Sequence, residues 1–129
     1  MGHPGEELVR RGYDAFSTGD MQTLREVFAP DIVWHSPGRS QLAGDYRGVD
    51  AVLGFFGRTM ELTGGTFRVD VHDVVANDEH VVGLNAVTAQ REGRTLQDQN
   101  TLVFHVRDGS ASEVWQFWAD QYAADAFFG

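Results

Sequence analysis

Cysteine is absent from the 129 residues. That excludes disulfides, a thiolate nucleophile, and cysteine-ligated zinc or iron–sulfur clusters. Lysine is absent too, all ten cationic side chains being arginine. A Schiff-base nucleophile and covalently held pyridoxal phosphate are therefore excluded. Cations are few beside the 19 acidic residues, giving a formal charge of −9. A chain so acidic does not fit a nucleic-acid backbone or an anionic membrane surface. No run approaches the 18 apolar residues of a membrane-spanning helix. Residues 1–7 carry neither the basic nor the apolar part of a secretory leader, which makes the cytoplasm the expected compartment.

What is present suits a globular protein: 42% hydrophobic and 22% charged residues. The length predicts a single domain over 1–129 with a core of its own. Apolar spacing is helical before residue 65 and strand-like after it. Residues 6–17 put Leu8, Val9, Tyr13 and Phe16 on one helical face, and Gly19 stops that helix. Asp20 caps a short second helix, which Pro30 ends. Residues 31–36 read as a strand and 38–47 as a loop. Residues 49–62 form a third helix, with Val52, Leu53 and Phe56 inward. Four strand segments follow, at 66–76, 80–90, 95–106 and 112–121. Three helices packed on one face of a mostly antiparallel sheet make an α+β fold.

Turns set the register, and register sets the face. Three-residue hairpin loops at 91–93 and 107–109, each ending in glycine, place Asn100 opposite Leu84 and Gln116. The face toward the helices then carries Asp73, Val82, Leu84, Asp98, Asn100, Leu102, Gln116, Trp118 and Asp120. The outer face carries Asn85, Val87, Val103, Trp115 and Phe117. Two large aromatics on an outer face predict a sheet-to-sheet homodimer through Trp115 and Phe117.

Polar groups on a buried face need partners or a ligand. Asp120 or Asp98 beside Trp118 is a candidate general base, its pKa raised by desolvation. Asn100 and Gln116 are candidate donors to a developing oxyanion, or else satisfy each other. Trp34, Phe56, Leu102 and Trp118 supply apolar walls. His35 ends the first strand and is a second acid/base candidate, although strict alternation sends it outward and Ser36 inward. The histidines at 3, 35, 72, 80 and 105 lack metal-ligand spacing, so no metal is expected.

Several segments together resemble one family. They are Tyr13-Asp14-Ala15-Phe16-Ser17-Thr18-Gly19-Asp20, Val27-Phe28-Ala29-Pro30-Asp31-Ile32-Val33-Trp34-His35, Tyr46-Arg47-Gly48, Val106-Arg107-Asp108-Gly109, and Glu113-Val114-Trp115-Gln116-Phe117-Trp118-Ala119-Asp120. In order and spacing they look like the SnoaL-like, ketosteroid isomerase-like branch of the nuclear transport factor 2-like superfamily, over about residues 6–128. The resemblance implies a cone-shaped α+β barrel of the cystatin-like fold, a pocket at its open end, and usually a dimer. It places the isomerase base position on Ser36, where no carboxylate stands. The oxyanion tyrosine position falls on Gly12, next to Tyr13, and the oxyanion aspartate position on Asn100. The late acidic residue of the polyketide cyclases corresponds to Asp120.

The sequence thus points to an acid/base isomerase, cyclase or lyase without a cofactor, acting on a small, mostly apolar carbonyl compound. A non-catalytic protein that binds such a molecule is the alternative. Asp120, Asp98, His35 and Asn100 are the expected catalytic residues. Tyr13, Trp34, Ser36, Phe56, Leu102, Gln116 and Trp118 are the expected substrate contacts.

Overall fold

The first helix begins where the chain supplies its own cap. In the computed structural model, which describes residues 2–129, α1 spans Pro4–Thr18. The His3 side chain accepts from Gly5 N–H, Pro4 stands in the first turn, and Glu6 and Glu7 oppose the helix dipole. Gly19 ends the helix in the left-handed conformation. Helix α2 (Met21–Val27) is capped by Asp20, whose carboxylate accepts from Thr23 N–H. Strand β1 (Phe28–Ser36) follows at once, then β2 (Gly44–Arg47) and α3 (Val49–Leu62). Strands β3 (Arg68–Ala76), β4 (His80–Arg91), β5 (Arg94–Arg107) and β6 (Ser110–Trp118) form a meander, and α4 (Gln121–Phe128) closes the chain.

The six strands form one sheet in the order β2-β1-β6-β5-β4-β3. Only the β1–β6 pair is parallel. The architecture is α+β, with the helices on an open, mostly antiparallel sheet. Val9, Leu24, Val27, Ile32, Val52, Val81 and Val114 are essentially fully buried where helices meet sheet.

Five features differ from the sequence reading. Residues 44–47 pair with β1 as an edge strand instead of remaining loop. Residues 121–128 are helical rather than the end of a strand and a tail. The β4–β5 turn has two residues, with Arg91 paired to Arg94. Glu92 and Gly93 take positive φ values of 51° and 76°, the twist that suits a two-residue hairpin. The shift by one residue turns β4 over, so Val81, Gly83, Asn85 and Val87 face the helices while Val82 and Leu84 face out. Asn100 consequently pairs with Asn85 and not with Leu84. The β5–β6 turn also has two residues instead of three, with Arg107 paired to Ser110. A bulge between His105 and Val106 then sets Trp118 rather than Gln116 opposite Asn100 while keeping both residues on the inner face. A bulge between Val71 and Asp73 likewise buries Val74 and turns Asp73 and Val75 outward.

Candidate functional site

The helices and the inner sheet face leave a cavity of about 90 Å³ between them. Its apolar wall comes from every layer. Trp34 of β1 meets Phe56 of α3 edge-on at 5.1 Å, and Phe16 of α1 meets Phe56 at 5.2 Å. Phe104 of β5 lies 6.5 Å from Trp34, and Trp118 at the end of β6 lies 6.2 Å from Phe128 of α4. Edge-to-face aromatic contacts of this kind fix one another's orientation. Leu102 completes the sheet side.

Neutral polar groups interrupt this wall at named points. Trp34 Nε1 donates to Gln116 Oε1 at 3.0 Å, which leaves the Nε2 donor of this cavity-lining residue outside that bond. Asn85 Nδ2 donates to Asn100 Oδ1 at 3.5 Å, at the limit of a hydrogen bond, and Asn100 lines the cavity too. Ser36 is buried and lines the same space. Tyr13 lies along the cavity with its hydroxyl over β4, beside the Asn85 amide. Neither Tyr13 Oη nor Asn85 Oδ1 completes a hydrogen bond. Burial pushes the Tyr13 phenol up to about 12, against a smaller downward pull from Asn85. Tyr13 is therefore a neutral donor throughout the physiological range.

Tyr13, Trp34, Ser36, Phe56, Asn100, Leu102, Gln116 and Trp118 thus surround one space. Three expected catalytic residues stand outside it. Strand β6 ends at Trp118, and Asp120 caps α4, accepting from Ala123 N–H at 3.0 Å. Asp98 accepts from Gln99 N–H at 2.8 Å and from Asp120 N–H at 2.9 Å. These two aspartates tie the strand end to the helix start and do not line the cavity. Capping takes Asp120 because the exposed N–H groups of a helix start compete for nearby carboxylates.

His35 follows strict alternation and points to the outer face. Its Nδ1 lies 2.7 Å from Asp45 Oδ1 and its Nε2 lies 2.6 Å from Glu113 Oε2, with the ring stacked on Trp115 at 5.6 Å. The hydrogen bond to Glu113 and the Asp45 carboxylate raise its pKa against the opposing effect of burial. The ring joins β1 to its neighbours β2 and β6 and does not line the cavity.

Two contributors were hidden from the sequence reading. Asn85 was assigned to the outer face through the hairpin register. Asp125 lies on α4, in a segment read as a tail, and is the carboxylate that lines the cavity. Among the described residues, no cluster of histidine and carboxylate side chains is arranged to hold a metal. Among the described residues no helix is long and apolar enough to cross a membrane.

The family described as SnoaL-like domain matches residues 9–114. An uncharacterized protein of Mycobacterium tuberculosis is 36% identical over 123 residues, which cover 95% of this chain and 94% of that protein. The solved structure of Bal32a, from a soil-derived mobile gene cassette, is similar with a TM-score of 0.95 and 40% identity, covering 98% of this chain and 97% of that one. IdmH, a proposed polyketide cyclase from Streptomyces antibioticus, shares the fold at 24% identity and a TM-score of 0.78, covering 96% and 99%. The chain belongs to the SnoaL-like family and has the cystatin-like fold.

Proposed function

We propose that this SnoaL-like chain encloses a small, flat, mostly apolar carbonyl compound and acts on it as an isomerase or cyclase without a cofactor. The observation that carries this reading is the chemistry of the cavity wall. Aromatic rings form most of it, and the polar groups between them include the neutral amides Asn100 and Gln116 and the hydroxyls of Tyr13 and Ser36. A carbonyl oxygen accepts from the Asn100 and Gln116 N–H groups, and these donors strengthen as charge builds on that oxygen. The surrounding rings exclude water and sharpen the effect. The cyclase description of IdmH, a relative in fold, agrees with this reaction class.

A second reading is favoured by one observation. Asp98, Asp120 and His35 are all engaged outside the cavity, as suits a protein that binds its ligand and leaves it unchanged. We further propose that two copies pair through the outer sheet face around Trp115 and Phe117.

The test of the carbonyl contact compares 2-tetralone with tetralin, the same two-ring skeleton without its oxygen. Quenching of tryptophan fluorescence by 2-tetralone at lower concentration than by tetralin is expected. Asn100→Leu is expected to remove most of that preference. Equal affinity for the ketone and the hydrocarbon in the wild-type protein would refute the reading.

A further inference from the structure

The amides and hydroxyls that hold the carbonyl are neutral, and an isomerase needs a site that takes up a proton. We propose that Asp125 is the general base of this cavity, removing a proton from the carbon next to the ligand carbonyl. The inference rests on the carbonyl-binding reading above and supplies the residue that reading lacks.

The placement follows from α4. Gln121, Asp125 and Phe128 recur at helical spacing and present one face of α4 to the cavity. Phe128 packs against Trp118, and Trp118 is the register partner of Asn100. Asp125 therefore lines the cavity from the helix that packs against Trp118, the strand partner of Asn100. The carboxylate is held on one side only. Its Oδ1 accepts from Arg39 N–H at 3.0 Å and from Gln121 Nε2 at 3.1 Å. Those two bonds fix the plane of the group and leave Oδ2 without a hydrogen-bond partner among the described residues. The close approach needs a glycine: a Cβ on Gly38 would lie 2.2 Å from Asp125 Oδ1 and 2.3 Å from Gln121 Nε2.

The helix is itself secured. Arg94 Nη1 donates to Ala126 O at 3.0 Å, Arg91 Nη1 to Phe127 O at 3.2 Å, and Gln41 Nε2 to Phe128 O at 2.7 Å. These donors satisfy the carbonyls at the end of α4 and keep it against the opening. A carboxylate on so well-anchored a helix is positioned as a general base must be.

The step balances without a co-reactant. The C–H bond next to the carbonyl breaks, and its proton passes to Asp125 Oδ2. The electron pair forms the C=C bond, and the carbonyl π pair moves onto the oxygen held by Asn100 and Gln116. Return of the proton to the same carbon regenerates the carboxylate and the starting ketone, with exchange of the hydrogen, and its return to a conjugated carbon completes an isomerisation.

The experiment follows deuterium incorporation into 2-tetralone in D2O by mass spectrometry, beside binding of the same ketone by tryptophan quenching. Asp125→Asn keeps an oxygen to accept from Arg39 and Gln121, so the helix contact survives. Wild-type protein is expected to exchange above the buffer rate. Asp125→Asn is expected to bind within about twofold and to lose exchange by about 100-fold or more, the usual worth of a positioned base. Asp125→Ser, which also offers an oxygen to Arg39 N–H, is expected to show the same loss. Wild-type exchange retained by either variant overturns the role of Asp125 and leaves the carbonyl-binding reading standing. Binding without exchange in the wild-type protein overturns the role of Asp125 and favours the non-catalytic binder. No binding of 2-tetralone overturns both.

Discussion

The Tyr13 hydroxyl occupies the space that a side chain at residue 83 would need: a Cβ built on Gly83 would lie 1.9 Å from Tyr13 Oη. Gly83 is buried in the middle of β4, where a glycine ordinarily weakens a strand. Here its missing side chain lets a helix tyrosine lie flat on the sheet and line the cavity. Gly83→Ala is expected to push the ring out and to destabilise the fold by about 1–3 kcal/mol, as overpacking does. Adding Tyr13→Phe removes the nearest atom in conflict and leaves the ring carbon at 2.9 Å, so the double variant is expected to recover part of the loss. Urea denaturation of the three proteins checks both expectations.

That contact also shows where the sequence was legible and where it was not. Helix spacing placed Tyr13 and Phe16 of α1 and Phe56 of α3 on inward faces. Alternation placed Trp34 and Ser36 inward on β1, and Asn100, Leu102, Gln116 and Trp118 inward on β5 and β6. These residues lie on elements whose period decides the face. Gly83 and Asn85 were misplaced because a single residue in the β4–β5 turn decides the face of all of β4. Glu92 there adopts a left-handed φ, a conformation that asparagine or glycine usually marks. Asp98 and Asp120 were misread for a different reason. Facing alone cannot tell a carboxylate in a cavity from one taken by free N–H groups at a strand end and a helix start. Asp125 could not be placed until the last segment was known to be a helix.

The buried hydrogen bond from Trp34 Nε1 to Gln116 Oε1 joins a cavity wall to a cavity donor. Gln116→Met keeps the volume and removes the acceptor, leaving a buried N–H without a partner. The expected cost is about 1–3 kcal/mol, as for a buried donor left unpaired. Ketone binding should weaken as well, because the Nε2 donor is lost with the acceptor. Denaturant titration and tryptophan quenching by 2-tetralone read the two effects separately.

His35 makes stability depend on pH in a defined direction. Hydrogen bonding to Glu113 and proximity to Asp45 raise its folded-state pKa above the ordinary 6.5. The protonated ring is thus favoured in the folded chain, and its stabilisation is complete below pH 6.5. It is lost as pH rises through the raised value. Wild-type protein should exceed His35→Gln by about 1 kcal/mol at pH 6, in keeping with a partly exposed charged pair. The gap should narrow by pH 9. Thermal melts of both proteins at the two pH values check the sign, and a gap that widens would contradict it.

Pairing through the outer sheet face makes the last prediction. Phe117 is 53% exposed, Val75 49% and Leu84 37%, and Trp115 stacks on His35 beside them. Phe117 stands opposite Thr101 on neighbouring strands, so a second sheet laid on this face covers both. Removing such a surface from water stabilises the pair by roughly 25 cal/mol per Å² of apolar area. A carboxylate in its midst must be desolvated without a partner and opposes that gain. Wild-type protein is therefore expected to sediment at about twice the 14.3 kDa of the chain, and Phe117→Asp at the mass of one chain. The cavity opens on the other face of the sheet, so the variant should still bind 2-tetralone as the wild type does. A wild-type protein that sediments as a single chain would refute the pairing while leaving the cavity chemistry untouched.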